Sequence, residues 1–80
     1  MNFTACYTKL ENCYMGQLLD WPNIITDGKT LKECKEMLID AAREVALSYA
    51  DEGKKIPEPL SVIVEPLSIP IENIAVANVS

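Results

Sequence analysis

Three carboxylates lie where the sequence could build an acid–base or two-metal site. Asp20 and Asp27 flank a short predicted strand, and Glu65 stands near the end of a later one. Paired carboxylates can exchange protons with a substrate, and several that converge on adjacent strands can hold two metal ions. The first predicted strand, residues 2–9, contributes no carboxylate to such a set. We therefore interpret these acids as turn-forming and solvated, and predict no enzyme activity, no catalytic residue, no metal site and no cofactor.

The cysteines and the missing histidine narrow the chemistry further. The chain has no histidine, which excludes histidine-based metal sites and histidine-based catalysis. Cys6, Cys13 and Cys34 are an odd set, and their spacing matches no zinc or redox motif. We expect all three to be buried apolar residues in a reducing cytoplasm.

Length and charge favour a single small domain that binds protein rather than nucleic acid. The 80 residues are 49% hydrophobic and carry a net charge of −5. A protein that neutralises phosphates by itself is basic, so no direct DNA binding is expected, whereas an acidic protein suits a basic protein partner. A chain of this size buries only about 60% of its unfolded surface, so a homo-oligomer is expected. With no signal-peptide pattern and no membrane-spanning apolar run, the sequence predicts a cytoplasmic protein.

The N-terminal third of the chain has the pattern of three short strands joined by two tight breaks. Residues 2–9 alternate and carry Phe, Thr and Tyr, which predicts a strand, and residues 13–20 are predicted to be the returning strand of a hairpin. Pro22 supplies a fixed φ for a β-turn, and residues 24–26 are long enough for a third strand. Gly16 in mid-strand indicates a bulge or the close approach of another side chain.

A single helix is predicted over about residues 31–51. Thr30 and Glu33 form a capping box at its start, and Gly53 fits its end. Gly28 is expected to take the positive φ that leads into the helix. Apolar residues recur every three or four positions and form one stripe that should face the sheet: Leu31, Cys34, Leu38, Ala41, Val45 and Tyr49.

The predicted order is β-β-β-α-β, an α+β fold in which a three-stranded antiparallel meander carries one helix on one sheet face. Residues 60–65 form a near-continuous apolar run and are predicted to be the fourth strand. The tail, residues 67–80, is also apolar, and residues 74–76 are a candidate for an extra strand. One helix leaves the other sheet face uncovered, which favours a partner or a second subunit. The candidate oligomer-interface residues are Tyr7, Tyr14 and Leu18.

Four acidic residues, which we call the acidic strip, follow the outer side of the helix: Glu33, Glu36, Asp40 and Glu44. Like charges four residues apart destabilise a helix by ~0.2–0.5 kcal/mol per pair, so helix stability does not explain the strip. Two interpretations remain open, a solvated face or a docking surface for a basic partner. Trp21 is either a core anchor or an exposed interface anchor. The candidate partner-binding residues are Asp20, Trp21, Glu33, Glu36, Asp40 and Glu44.

Four motifs in a fixed order carry a resemblance to a known family. Tyr14 in the second predicted strand is followed by the turn WPNI at 21–24, the helix entry GKTLKEC at 28–34 and the linker GKKIPEP at 53–59. Residues 1–66 thereby resemble the HicB-like antitoxins, the antitoxin half of HicA–HicB toxin–antitoxin pairs. Each motif alone is weak, but their order and spacing together are fairly specific.

The resemblance implies a partial RNase H-like fold without catalytic carboxylates, whose role is to mask a small basic HicA-like mRNA interferase. Asn23 replaces the usual glycine of the family and Cys34 its frequent alanine, and both changes keep the turn and the core-facing helix position. Too few residues follow Pro66 for the DNA-binding domain that many members carry, so a minimal single-domain version is expected. The alternative is an orphan HicB-like oligomer that has a structural or regulatory role and no toxin partner.

Overall fold

The computed structural model describes residues 1–71. Its elements in chain order are β1 (Ala5–Lys9), β2 (Tyr14–Leu18), β3 (Ile25–Gly28) and α1 (Leu31–Glu52). The strands form one antiparallel sheet in the order β1-β2-β3, and α1 packs on β2 and β3. This confirms the α+β class, the three-stranded antiparallel meander and the single helix. No helix within the described range is long and apolar enough to cross a membrane.

Two short turns connect the strands. The backbone N–H of Leu10 donates to the carbonyl of Cys13 at 2.8 Å and closes the hairpin. The N–H of Ile24 donates to the carbonyl of Trp21 at 3.0 Å, which makes the intervening proline and asparagine the centre of the predicted β-turn. The N–H of Leu18 then donates to the carbonyl of Ile24 at 3.2 Å, where β2 and β3 begin to pair. β1 and β2 are shorter than predicted, and β3 starts later.

α1 starts with the predicted capping box, in which one of the two hydrogen bonds has a different donor. The N–H of Glu33 donates to Thr30 Oγ1 at 3.0 Å. The Glu33 carboxylate accepts in return from the N–H of Lys29 at 3.2 Å, rather than from that of Thr30. Two backbone donors at the helix start are therefore satisfied, and the start at Leu31 is confirmed.

The end of α1 is a left-handed glycine cap. Gly53 has a φ of 69°, a conformation that glycine adopts without a steric penalty. Its N–H donates to the carbonyl of Ala50 at 3.2 Å, and the N–H of Lys54 donates to that of Tyr49 at 2.8 Å. This pair of bonds is the Schellman motif, so the predicted stop at Gly53 is confirmed.

The core lies between the sheet and the first half of α1. The buried cluster consists of Leu18, Trp21, Ile24 and Leu38. The Trp21 ring lies 5.2 Å from the Tyr49 ring in an edge-on arrangement and 5.9 Å from the Phe3 ring, measured between centroids. Trp21 thereby joins the start of the chain, the sheet and the second half of the helix.

Two glycines let α1 approach the sheet closely. A Cβ at Gly16 would lie 3.0 Å from Cys34 Sγ and 3.2 Å from the Tyr7 ring, which confirms the predicted close approach. The positive φ predicted for Gly28 is wrong, because Gly53 alone among the three glycines has one. A Cβ at Gly28 would instead lie 2.6 Å from the backbone nitrogen of Cys34. Glycine is needed there because any side chain would clash with the helix backbone.

The predicted fourth strand is not formed. Residues 60–65 pair with no strand within residues 1–71, and the chain runs exposed and without regular structure from residue 60 to residue 71. We call residues 60–71 the arm. Its sequence has strand-like composition, but its residues are exposed and none of them packs against the buried core cluster. The further strand predicted at 74–76 lies outside the described residues.

The cysteines differ in burial. Cys34 is fully buried under the sheet, Cys13 is half-buried and Cys6 is exposed. The prediction of three buried cysteines is therefore correct for Cys34 alone. Cys6 is exposed because its neighbours Ala5 and Tyr7 take the core side of β1 and alternation turns Cys6 outwards.

Candidate interaction surfaces

The acidic strip lies on the solvent side of α1. All four of its carboxylates belong to exposed residues, whereas Cys34 and Leu38 on the opposite side are buried. The only side-chain ion pair within residues 1–71 joins Lys54 Nζ to Glu52 Oε2 at 2.8 Å. The strip therefore presents negative charge that no ion pair in this part of the chain neutralises.

Two exposed apolar residues, which the sequence reasoning missed, interrupt the acidic strip. Met37 is 47% exposed and Leu47 is 68% exposed. They line a shallow groove of about 470 Å³ together with Asp40, Arg43 and Glu44, and we call it the outer groove. Both are apolar helix residues that lie outside the predicted apolar stripe, and this is the sequence feature that could have identified them. Protein interfaces have an apolar core and a polar rim and are enriched in Met, so the exposed apolar pair is the part of this surface that favours protein binding.

Two of the predicted partner-binding residues are used inside the fold. Asp20 is 8% exposed, and its carboxylate accepts from the N–H of Thr4 at 3.0 and 3.1 Å and from the N–H of Leu60 at 3.0 Å. Trp21 is buried in the core, which agrees with the core-anchor interpretation. Neither side chain is accessible to a partner in this conformation.

The predicted oligomer-interface residues all lie on the helix-covered face of the sheet. In the β1–β2 register Tyr7 pairs with Gly16, whose absent side chain would point at Cys34, and Tyr14 and Leu18 follow on the same face. Leu18 is buried, and the two tyrosines are half-buried. The open face instead presents side chains of alternate residues: Cys6, Thr8, Met15, Gln17, Ile25 and Asp27.

Tyr7 sits at the border between the core and solvent. The Lys35 ammonium lies 5.8 Å from the centre of its ring, within the range of a cation–π contact. Burial raises the pKa of the Tyr7 phenol above its ordinary value of 10.0, and the electrostatic interaction with Cys34 raises this pKa further. Both effects favour the neutral phenol against the helix.

A second groove, which we call the β1 groove, runs between β1 and α1. Its volume is about 510 Å³. The apolar residues that line it include Phe3, Ala5, Tyr7, Leu38, Ile39 and Ala42. Lys35 and Arg43 complete the lining and make its charged rim basic. This groove and the outer groove lie on adjacent sides of α1 and share Arg43.

The carboxylates considered first for catalysis are separated by the fold. Asp20 is buried against backbone N–H groups, Asp27 is exposed on the open face of β3, and Glu65 is exposed on the arm. Within residues 1–71, no three cysteine or carboxylate side chains come together where they could hold a metal ion.

Comparisons with protein-family models, with curated proteins and with solved structures found no match to this chain. The resemblance to the HicB-like antitoxins thus rests on the motifs of the sequence. The structure shows three strands followed by one helix, with two grooves beside α1.

Proposed function

We propose that this chain is a non-catalytic, cytoplasmic HicB-like antitoxin that binds and neutralises a small basic HicA-like mRNA interferase. The observation that carries the proposal is the outer side of α1, where the acidic strip and the outer groove form one surface. This surface offers negative charge for steering and apolar side chains for contact.

The charge of α1 supports a basic partner. The helix contains six acidic and three basic side chains. Glu36, Asp40 and Glu44 follow one another at intervals of four residues, which disfavours the free helix by ~0.2–0.5 kcal/mol per pair. A basic partner removes this repulsion when it binds. It also associates faster, because opposite potentials steer the encounter at low ionic strength.

The apolar residues of the outer groove supply the contact that charge alone does not. Exposed ion pairs contribute only about 0–1 kcal/mol each, so an affinity based on charge would be weak. Met37 and Leu47 lie on either side of Asp40 and Glu44 and can be buried together with them. Binding energy concentrates in a few anchors that the partner desolvates fully, and the contacts around them serve mainly to exclude water.

The proposal includes the partial RNase H-like fold that the resemblance implies. In a partial RNase H-like fold a fourth strand completes the sheet, and residues 60–65, which are unpaired in the described structure, have the composition of that strand. The bond from the N–H of Leu60 to Asp20 supports this placement, because the same carboxylate holds Thr4 just before β1. The start of the arm and the start of β1 are thus neighbours.

The second candidate function is an orphan HicB-like oligomer with a structural or regulatory role and no toxin. The observation that favours it is the exposed apolar arm, which requires a covering surface whether or not a toxin exists.

Calorimetric titration with a small basic HicA-like protein tests the first candidate. Replacing Glu36, Asp40 and Glu44 together with lysine should weaken binding by at least about tenfold and release RNA cleavage from inhibition. The matched control carries the same three charge reversals at exposed acids away from the strip: Glu11, Asp27 and Glu58. Equal weakening in both variants, or no binding by the unmodified chain, would contradict the proposal.

A further inference from the structure

The sheet has an open edge next to an open groove. β1 is an edge strand, and within residues 1–71 only β2 pairs with it. Its other edge presents free backbone N–H and C=O groups, which are a template for one more strand. The β1 groove lies beside this edge, and Ile39 in its lining is 60% exposed. Edge and groove together fit an extended apolar segment.

The arm is such a segment. Seven of its residues are exposed large apolar side chains: Leu60, Val62, Ile63, Val64, Leu67, Ile69 and Ile71. Residues 60–65 are bounded by Pro59 and Pro66, which isolates one strand-length stretch of β-branched residues. A continuous exposed apolar segment of this kind marks an interaction site.

The charges of the groove and the arm are complementary. Among the described residues that line the groove, the charged side chains are those of Lys35 and Arg43, both basic, whereas Glu65 is the charged residue of the arm. A basic partner protein would be repelled by this rim, so the β1 groove is not suited to the ligand proposed for the acidic strip. An apolar segment with a carboxylate fits it, and the chain itself carries one.

We propose that the arm of a second copy lies along the free edge of β1 and fills the β1 groove, in a symmetric dimer with two equivalent contacts. This proposal does not depend on the existence of a toxin. The arm has twelve residues and spans about 40 Å when extended, whereas the five residues of β1 span about 17 Å. The distal part of the arm therefore reaches beyond its own sheet, where another copy can cover it. Reciprocal contacts of one surface with its equivalent close the assembly at two subunits.

Charge exchange between two variants tests whether the contact is made between copies. The groove variant carries Lys35→Glu and Arg43→Glu, and the arm variant carries Glu65→Lys. Sedimentation equilibrium at low salt should give the unmodified chain twice its mass of 8.9 kDa. Each variant alone should dimerise about tenfold more weakly, because like charges oppose each other at both contacts.

An equimolar mixture of the two variants is the decisive sample. In the mixed dimer, the altered groove receives the altered arm and the native groove receives the native arm, so both contacts are restored. Native mass spectrometry should then show mixed dimers in excess over both homodimers. No excess of mixed dimers, or a monomeric unmodified chain, would overturn the proposal. Seating of the arm in its own groove would give a monomer whose residues 60–65 resist hydrogen exchange.

A substitution in the apolar part of the arm provides a second measurement. Val62→Asp should weaken dimerisation at least about tenfold, because it places a charge in an apolar contact. The control is Leu10→Asp, in the hairpin turn, where exposure is similar, at 44% against 51% for Val62. Both variants should keep the helical circular dichroism of the unmodified chain. Equal dimer affinity for the two variants would overturn the proposal, whereas loss of toxin binding alone would concern only the acidic strip.

Discussion

The body of the protein, from Phe3 to Ile56, and the arm are both rich in apolar residues, yet they bury them very differently. Trp21 is 3% exposed in the body, whereas Ile63 is 90% exposed on the arm. In the body, caps and tight turns satisfy backbone groups and set helix against sheet. The arm has strand-forming residues but no facing surface. An apolar run thus becomes core only when the surrounding chain brings a second apolar surface to it.

The two regions meet at Asp20. Its carboxylate accepts from Thr4 at the entrance to β1 and from Leu60 at the start of the arm. The body therefore holds the arm at its first residue, Leu60, and leaves the remaining residues of the arm exposed. Four predictions, in order of decreasing effect, test how the body is held together and how it is linked to the arm.

Trp21→Ala should destabilise the body by about 3–5 kcal/mol, because it opens a cavity between the sheet, Phe3 and Tyr49. Ile63→Ala should change the free energy of unfolding by less than about 0.5 kcal/mol in dilute solution, where the chain is monomeric. Urea denaturation followed by circular dichroism measures both. Similar losses for the two variants would show that the arm is part of the folded core.

Asp20→Ala should cost about 1.5–3 kcal/mol, because two backbone donors lose a charged acceptor. Asp27→Ala is the matched control on the open face and should stay within about 0.5 kcal/mol. Hydrogen exchange at the amides of Thr4 and Leu60 should accelerate in the first variant only. Unchanged exchange at Leu60 would remove Asp20 as the link between the body and the arm.

Thr30→Ala should cost about 1 kcal/mol, the usual loss for removing a helix N-cap. Thr8→Ala, on the exposed face of β1, controls for the loss of a threonine side chain. Urea midpoints of the two variants give the comparison. An unchanged midpoint for Thr30→Ala would mean that the capping bond to Glu33 does not hold the helix start.

Tyr7→Phe should change only the alkaline limit of stability. Because burial raises the pKa of Tyr7 in the folded state, the folded protein binds more protons than the unfolded chain above about pH 10. Stability is full below this pH and falls as pH rises through the folded-state pKa. Urea midpoints from pH 8 to pH 11 should fall less steeply for Tyr7→Phe than for Tyr14→Phe. Identical profiles would contradict the assignment to Tyr7.

The sequence predicted best those features that depend on neighbouring residues. Thr30 with Glu33 and the glycine at 53 gave the helix ends, and Pro22 gave the turn, because capping and turn geometry are local. Alternation predicted the strands, but it did not tell which strand residues share the helix-covered face. The covered face is set by the register between β1 and β2. This register places Tyr7, Tyr14 and Leu18 together on the covered side.

The features that depend on distant contacts were not predictable. Asp20 looked like a surface acid, because its two donors are distant in sequence, at Thr4 and Leu60. Gly28 was expected to take a positive φ, although its role is to leave room for the backbone of Cys34. The strand pattern at 60–65 indicated what the segment can form, but not whether a partner strand is within its reach.

The three cysteines differ in burial, so their thiols should react with an alkylating reagent at three different rates. A soluble alkylating reagent meets the Cys6 thiol at once and the Cys13 thiol more slowly, since one is exposed and the other half-buried. The thiol of Cys34 lies under Gly16 and reacts only when α1 separates from the sheet. Pulsed alkylation followed by mass spectrometry should therefore add labels in that order. The labelling rate of Cys34 then measures the free energy at which the helix–sheet contact opens, and no engineered probe is needed.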